Sequence, residues 1–146
     1  MNRVIVQECK SYDLESVIEK INSAIDLLGG WSLFVKPHDR VLLKVNLIGP
    51  KTSETAAVTH SEFVRAMVRI LMGIDCDVWI GDSSGGAIAG IAPTAQSFKV
   101  AGYERVAQEE GALIKNFDRE GVFPSHRKAG VRRPCTLQNP CLMRMS

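Results

Sequence analysis

The feature that most constrains this chain is an alternation. Short, continuous apolar runs are separated by stretches whose apolar residues recur every third or fourth position. Val4-Ile5-Val6, Val41-Leu42-Leu43, Val78-Trp79-Ile80 and Ala112-Leu113-Ile114 are the short runs. Runs of this length without a polar break suit strands covered on both faces. Between the first two, Leu14, Val17, Ile18, Ile21, Ala24, Ile25 and Leu28 form a helical stripe, with Asp13 as its cap and Gly29-Gly30 as its stop. Between the next two, Phe63, Val64, Met67, Ile70 and Leu71 form another stripe, capped by Thr59 or Ser61 and broken by Gly73. A third helix is expected over Gly102–Glu110, stopped by Gly111, and residues 87–100 read as a loop with a short helix at most. The order β-α-β-α-β-α-β specifies an α/β fold: an open, mainly parallel sheet of about four strands with helices on its faces, Rossmann-like in architecture. Right-handed crossovers are expected between the strands.

Periodicity fails from Val122 onward, where Pro124, Pro134 and Pro140 punctuate a polar stretch. The expected division is an α/β domain over residues 1–121 and an irregular tail over 122–146. Charge divides at the same place. The whole chain carries 18 basic and 16 acidic residues, but no acidic residue follows Glu120, whereas Arg127, Lys128, Arg132, Arg133 and Arg144 do. The body is therefore mildly acidic and the tail basic. A basic tail can engage nucleic acid or a protein partner. Nucleic acid is not expected, because no recognised module and no aromatics interleaved on a basic face accompany it. No apolar run reaches the roughly 20 residues of a membrane span, and Met1–Val6 lacks the apolar core of a secretory signal before Gln7-Glu8. A cytoplasmic protein that does not enter a membrane is expected.

The four cysteines are Cys9, Cys76, Cys135 and Cys141. Without a secretory signal they are expected as free thiols, Cys9 and Cys76 packing as small hydrophobes. Cys135 and Cys141 do not have the spacing of zinc knuckles or bacterial iron–sulfur clusters, so no metal site is expected in the tail.

Open parallel sheets bind ligands outside the carboxyl ends of their strands. The strand ends here are Cys9-Lys10-Ser11, Lys44-Val45-Asn46 and Asp82-Ser83-Ser84-Gly85-Gly86, with Thr59-His60 nearby at a helix start. Lys44 is a cation at the end of an apolar strand, aimed at an anionic ligand or paired with an acid such as Asp82. Asn46 either reads a polar ligand or makes turn hydrogen bonds. Asp82 suits a metal, a sugar hydroxyl or the Lys44 ammonium. Ser83 and Ser84 offer hydroxyls and an open backbone to an anion. His60, where a helix dipole disfavours imidazolium, is a neutral base, a ligand donor or a cap. Residues 48–58, rich in Thr, Ser, Gly and Pro, form a candidate binding loop. His38 and His126 lie in loops with no evident partner. The catalytic residues are unknown, and whether the chain is an enzyme is left open.

Four motifs are set aside. Gly81–Gly86 resembles the Gly-Asp-Ser-Gly-Gly of trypsin-like proteases, but an extra Ser interrupts it and those enzymes are all-β. It is neither a P-loop nor a dinucleotide fingerprint. No G-x-S-x-G elbow is present.

Val4 to Tyr12, Leu28-Gly29-Gly30, Phe34-Val35-Lys36-Pro37, Val41 to Asn46, Ala57-Val58-Thr59-His60 and Val78 to Ser83 together resemble the N-terminal part of the domain of unknown function 362 (DUF362) family, over about residues 3–118. Lys44-Val45-Asn46 stands where the family usually has Lys-Pro-Asn, His60-Ser61 where it has His-Pro, and Met72-Gly73-Ile74-Asp75 where it has a Glu-x-Gly-Ala-like turn. Family members are longer prokaryotic proteins, many with a ferredoxin-type iron–sulfur module. The resemblance implies a redox or iron–sulfur-linked protein, but the ferredoxin cysteines are absent here, so the cofactor is unknown. The chain reads as one that ended early, with a sheet edge left uncovered, and a homo-oligomer is expected. The resulting reading is an α/β domain binding a small anionic ligand or a metal at the carboxyl edge, through Lys44, Asn46, His60, Asp82, Ser83 and Ser84. The alternatives are an interaction module using the basic tail, and a metal-assisted hydrolase or transferase.

Overall fold

The computed structural model describes residues 3–84 and 93–119, and the backbone of Cys141–Arg144. It is an α/β fold. Helix α1 spans Leu14–Leu27, strand β1 Arg40–Lys44, α2 Ser61–Gly73, β2 Asp77–Asp82, α3 Thr94–Val100, α4 Tyr103–Glu110, β3 Leu113–Asn116 and β4 Cys141–Arg144. The strands form one sheet in the order β3-β2-β1-β4, and every pairing is parallel. Among the described residues no helix is long and apolar enough to cross a membrane.

The core fills one face of this sheet. Val41 and Leu43 of β1 and Val45 just beyond it alternate toward it, and Val78 and Ile80 of β2 are the register partners of Val41 and Leu43. They meet Val64, Met67, Val68 and Leu71 of α2 and Tyr103, Val106 and Ala107 of α4. Val41, Leu43 and Ile80 are fully buried, each worth about 1.5–3 kcal/mol in transfer free energy. Ile21 of α1 packs on the same cluster, so α1, α2 and α4 form one layer. On the opposite face Leu42, Trp79 and Leu113 lie side by side in register. There the Trp79 ring carries the Arg40 guanidinium at 4.5 Å and the Lys115 ammonium at 4.4 Å, an arrangement the ring quadrupole favours.

The helix ends follow local chemistry. Asp13 caps α1 by accepting from the Ser16 N–H at 3.0 Å, and this bond holds its carboxyl below the usual carboxylate range. Gly111 ends α4 at φ 84, the left-handed region that glycine enters without strain. Gly81 serves close approach instead. A Cβ there would lie 2.8 Å from both the Leu42 side chain and the Phe117 ring.

Three expectations are corrected. Val4-Ile5-Val6 does not form a strand, and Val4 and Val6 stand 85% and 88% exposed. The fourth strand comes instead from Cys141–Arg144, within the stretch expected to be irregular. The edge of β1 away from β2 is held by β4. Cys9 is exposed, not packed, while Cys76 is buried and its thiol is pushed up by that burial. His126, Cys135 and the Gly85-Gly86 turn lie outside the described residues. So does 120–140, which holds most of the expected tail.

Candidate functional site

The carboxyl ends of β1 and β2 bring Lys44 and Asp82 together. In register Lys44 faces Gly81, one residue before Asp82. The lysine curls over the strand end, its Nζ 2.8 Å from Asp82 Oδ1 and donating to the Val45 carbonyl at 2.8 Å. Asp82 is nearly buried, with 6% of its side chain exposed, whereas Lys44 keeps 33%. The Ser83 N–H donates to Asp82 Oδ1 at 2.7 Å. Two of the three ammonium donors are thus directed at protein oxygens, which leaves one for a ligand.

Ser84 extends this polar edge. Its N–H donates to Thr94 Oγ1 at 3.1 Å, the two hydroxyls lie 2.8 Å apart, and Thr94 Oγ1 donates to Asp118. Thr94 and Asp118 escaped the reading of the sequence. Nothing in their local pattern marks them: Thr94 opens α3, Asp118 follows β3, and 24 positions separate them in the chain.

Asn46 and His60 belong to a neighbouring knot. The Asn46 N–H donates to Thr59 Oγ1 at 3.0 Å, its Nδ2 donates to the Ala57 carbonyl at 3.0 Å, and its own carbonyl accepts from the Thr59 N–H at 3.2 Å. The loop between them is closed by these bonds, and Ser53 Oγ ties it to the Ser61 N–H at 2.9 Å and the Ala101 carbonyl at 3.3 Å. His60, not Thr59 or Ser61, is the cap of α2; its Nδ1 accepts from the Glu62 N–H at 3.2 Å. Its ring stacks on Tyr12 with centroids 3.5 Å apart. A cavity of about 660 Å³ opens here, bordered by Tyr12, Asn46, Ser53, Glu54, Thr59 and His60. A second, of about 610 Å³, lies beyond Tyr12 and Phe63 against α1, with Cys9, Lys10 and Lys20 among its lining residues. Neither is lined by Lys44 or Asp82.

Tyr103 joins the two halves. Its hydroxyl donates to the Thr59 carbonyl at 2.6 Å, and the Asn46 carbonyl is 3.4 Å away. Burial raises its pKa strongly and the Asp82 charge adds to the rise. The sequence offered it only as the first residue of a helix. His38 finds a partner at the other end of the molecule, its Nδ1 3.0 Å from Asp75 Oδ2. Among the described residues no group of three or more His, Cys, Asp or Glu is placed to hold a metal ion.

Comparison with known proteins gives a family and little more. The thylakoid-associated protein sll1697 of Synechocystis sp. (strain ATCC 27184 / PCC 6803 / Kazusa) is 33% identical over 84 residues, which is 57% of this chain and 26% of that protein. The chain therefore spans far less than the length of the relative it matches. No solved structure matches the chain. The family model begins at β1 and runs past Val122, so it starts later and ends later than residues 3–118, and the loss of periodicity at Val122 is not where the match stops. On the match of its model to residues 41–136, the chain belongs to the domain of unknown function (DUF362) family.

Proposed function

We propose that this domain binds a small anionic ligand at the carboxyl edge of its sheet. Lys44 supplies the charge, Ser83 supplies a hydroxyl, Ser84 shapes the edge through its bonds to Thr94, and Asp82 holds the lysine in place. The observation that carries the reading is the Lys44–Asp82 pair itself, 2.8 Å long, nearly buried on the acid side and a third exposed on the lysine side. Asp82 fixes the ammonium at the position where open parallel sheets take their ligands. The exposed Ser83 hydroxyl beside it adds a donor that needs no charge of its own. Asn46 and His60 shape the adjoining loop and do not contact the anion. Among the described residues no strand pairs with the outer edge of β3, and this supports self-association as a second property of the same chain.

A thermal-shift series with phosphate, sulfate, pyrophosphate and small dicarboxylates tests this. A ligand at a hundredfold excess over its Kd stabilises by about 2.7 kcal/mol. The expected result is a rise in Tm with at least one of these anions that disappears in Lys44→Gln. A folded protein that none of them stabilises, or a rise that survives Lys44→Gln, contradicts the proposal.

A further inference from the structure

Two segments of this chain suit one place in the sheet. Helix α1 packs against α2 and, through Ile21, on the same core cluster as α2 and α4. The β1-α2-β2 and β2-α4-β3 units step across the sheet in one direction with their helices in that layer. A strand preceding α1 and joined to β1 with the same handedness must lie on the side of β1 away from β2. That side is where β4 runs, with Val41 beside Cys141 and Lys44 beside Arg144.

Val4-Ile5-Val6 has what such a strand requires. It is a run of β-branched residues, the type that fits a pleated surface best, whereas Cys141–Arg144 contains none. It is unpaired, with Val4 and Val6 almost fully exposed. The direction is right as well. Tyr12 is stacked on His60, the cap of α2, so the start of α1 sits at the carboxyl edge of the sheet. The six residues from Val6 to Tyr12 span up to about 20 Å when extended. That is enough for Val4–Val6 to run parallel to β1 and still deliver the chain to α1.

We propose that Val4–Val6 and Cys141–Arg144 are alternative occupants of the free edge of β1, and that the chain exchanges one for the other. In the arrangement described here the C-terminal strand is in place and the N-terminal segment lies along α1, where Gln7 Nε2 donates to Ser23 Oγ at 3.0 Å.

Amide hydrogen exchange on the full chain tests this. Of two consecutive residues in an edge strand, one points its N–H at the neighbouring strand, so Leu142→Pro combined with Met143→Pro removes that bond whichever it is. In this variant the amides of residues 4–6 are expected to slow by about tenfold or more while β1 and β2 stay protected. Adding Ile5→Pro is expected to return the remaining amides of the segment to their original rate and to strip protection from β1. The milder Leu142→Asn with Met143→Asn is expected to act in the same direction to a smaller extent. Unchanged exchange at residues 4–6 in a variant whose β1 remains protected overturns the proposal. So does full protection of both segments at once in the unaltered chain, because one edge cannot pair with two strands. Unfolding of the double-proline variant also counts against it, since Val4–Val6 is required to take over the vacated edge.

Discussion

Two clusters of opposite charge among the described residues are built differently. One clamps α2 to α4. Arg65 Nη1 reaches Glu110 Oε1 at 2.7 Å and Glu109 Oε2 at 2.6 Å, its Nε lies 3.1 Å from Glu62 Oε2, and Arg69 Nε meets Glu110 Oε2 at 2.8 Å. The other is the Lys44–Asp82 pair at the carboxyl edge. In the clamp, two guanidinium groups share three carboxylates and the central charges are nearly out of water. Burial works against the Arg65 cation, yet the Glu110 and Glu109 hydrogen bonds outweigh it and raise its pKa. At the edge a single carboxylate meets a single ammonium, with one donor left over. The clamp sets three carboxylates against two guanidinium groups, so its net charge is negative and disfavours an anion. The edge pair is balanced and keeps one ammonium donor, at the position where parallel sheets take their ligands.

This contrast can be broken first at the clamp. Arg65→Ala leaves Glu110 buried with only Arg69 for company, and removal of one partner of a buried pair costs about 3 kcal/mol or more. Urea denaturation is expected to show that loss, with anion binding at the edge unaltered. Loss of both together would mean that the two clusters are not independent.

At the edge the expectation is different. Lys44→Gln is expected to abolish anion binding and to cost stability as well, because it leaves the nearly buried Asp82 with the Ser83 N–H but no cation. Anion binding that survives Lys44→Gln would make the pair a purely structural one.

The clamp also has a pH signature. The hydrogen bond from Arg69, then that from Arg65, holds the Glu110 carboxyl below the ordinary glutamate value against the opposing effect of burial. A depressed carboxylate contributes stability that is complete above its unfolded pKa and is lost as pH falls through the lower, folded value. Thermal melts from neutral to acid pH should therefore fall more steeply below the ordinary glutamate range in the unaltered chain than in Glu110→Gln. Parallel curves would remove Glu110 from the account.

The smallest effect is expected at the joint between the edge and its neighbouring loop. Tyr103→Phe removes the donor to the Thr59 carbonyl, a bond worth about 1 kcal/mol, and calorimetric unfolding should show a loss of that size. No loss would mean that the hydroxyl does not hold the loop.

How far the sequence foretold these features depends on the range of the interactions involved. Strands β1, β2 and β3 and the helices α1, α2 and α4 were legible because each is set by local period and by caps such as Asp13 and Gly111. The edge strand was not, because Val4–Val6 has the right local character and the pairing is decided by competition elsewhere in the chain. Lys44 and Asp82 were legible as a pair because both end apolar strands of one parallel sheet. Asn46 was legible as a turn residue. The partners Thr94 and Asp118 of Ser84, the Tyr103 bridge and the Arg65–Glu110 clamp were not, since each contact joins residues far apart in sequence and neither member stands out alone. On α2 and α4 the charged residues simply look like the solvated face of an amphipathic helix.

The central claim is that the carboxyl edge takes an anion through Lys44. The most direct measurement is a titration of the isotopically labelled chain with inorganic phosphate, followed by amide chemical shifts. The account predicts saturable shifts concentrated at Val45, Gly81, Asp82, Ser83 and Ser84, absent in Lys44→Gln, with the amides of Arg65, Arg69 and Glu110 unmoved. Shifts centred on the α2–α4 clamp, or shifts at the edge that persist without Lys44, would contradict it.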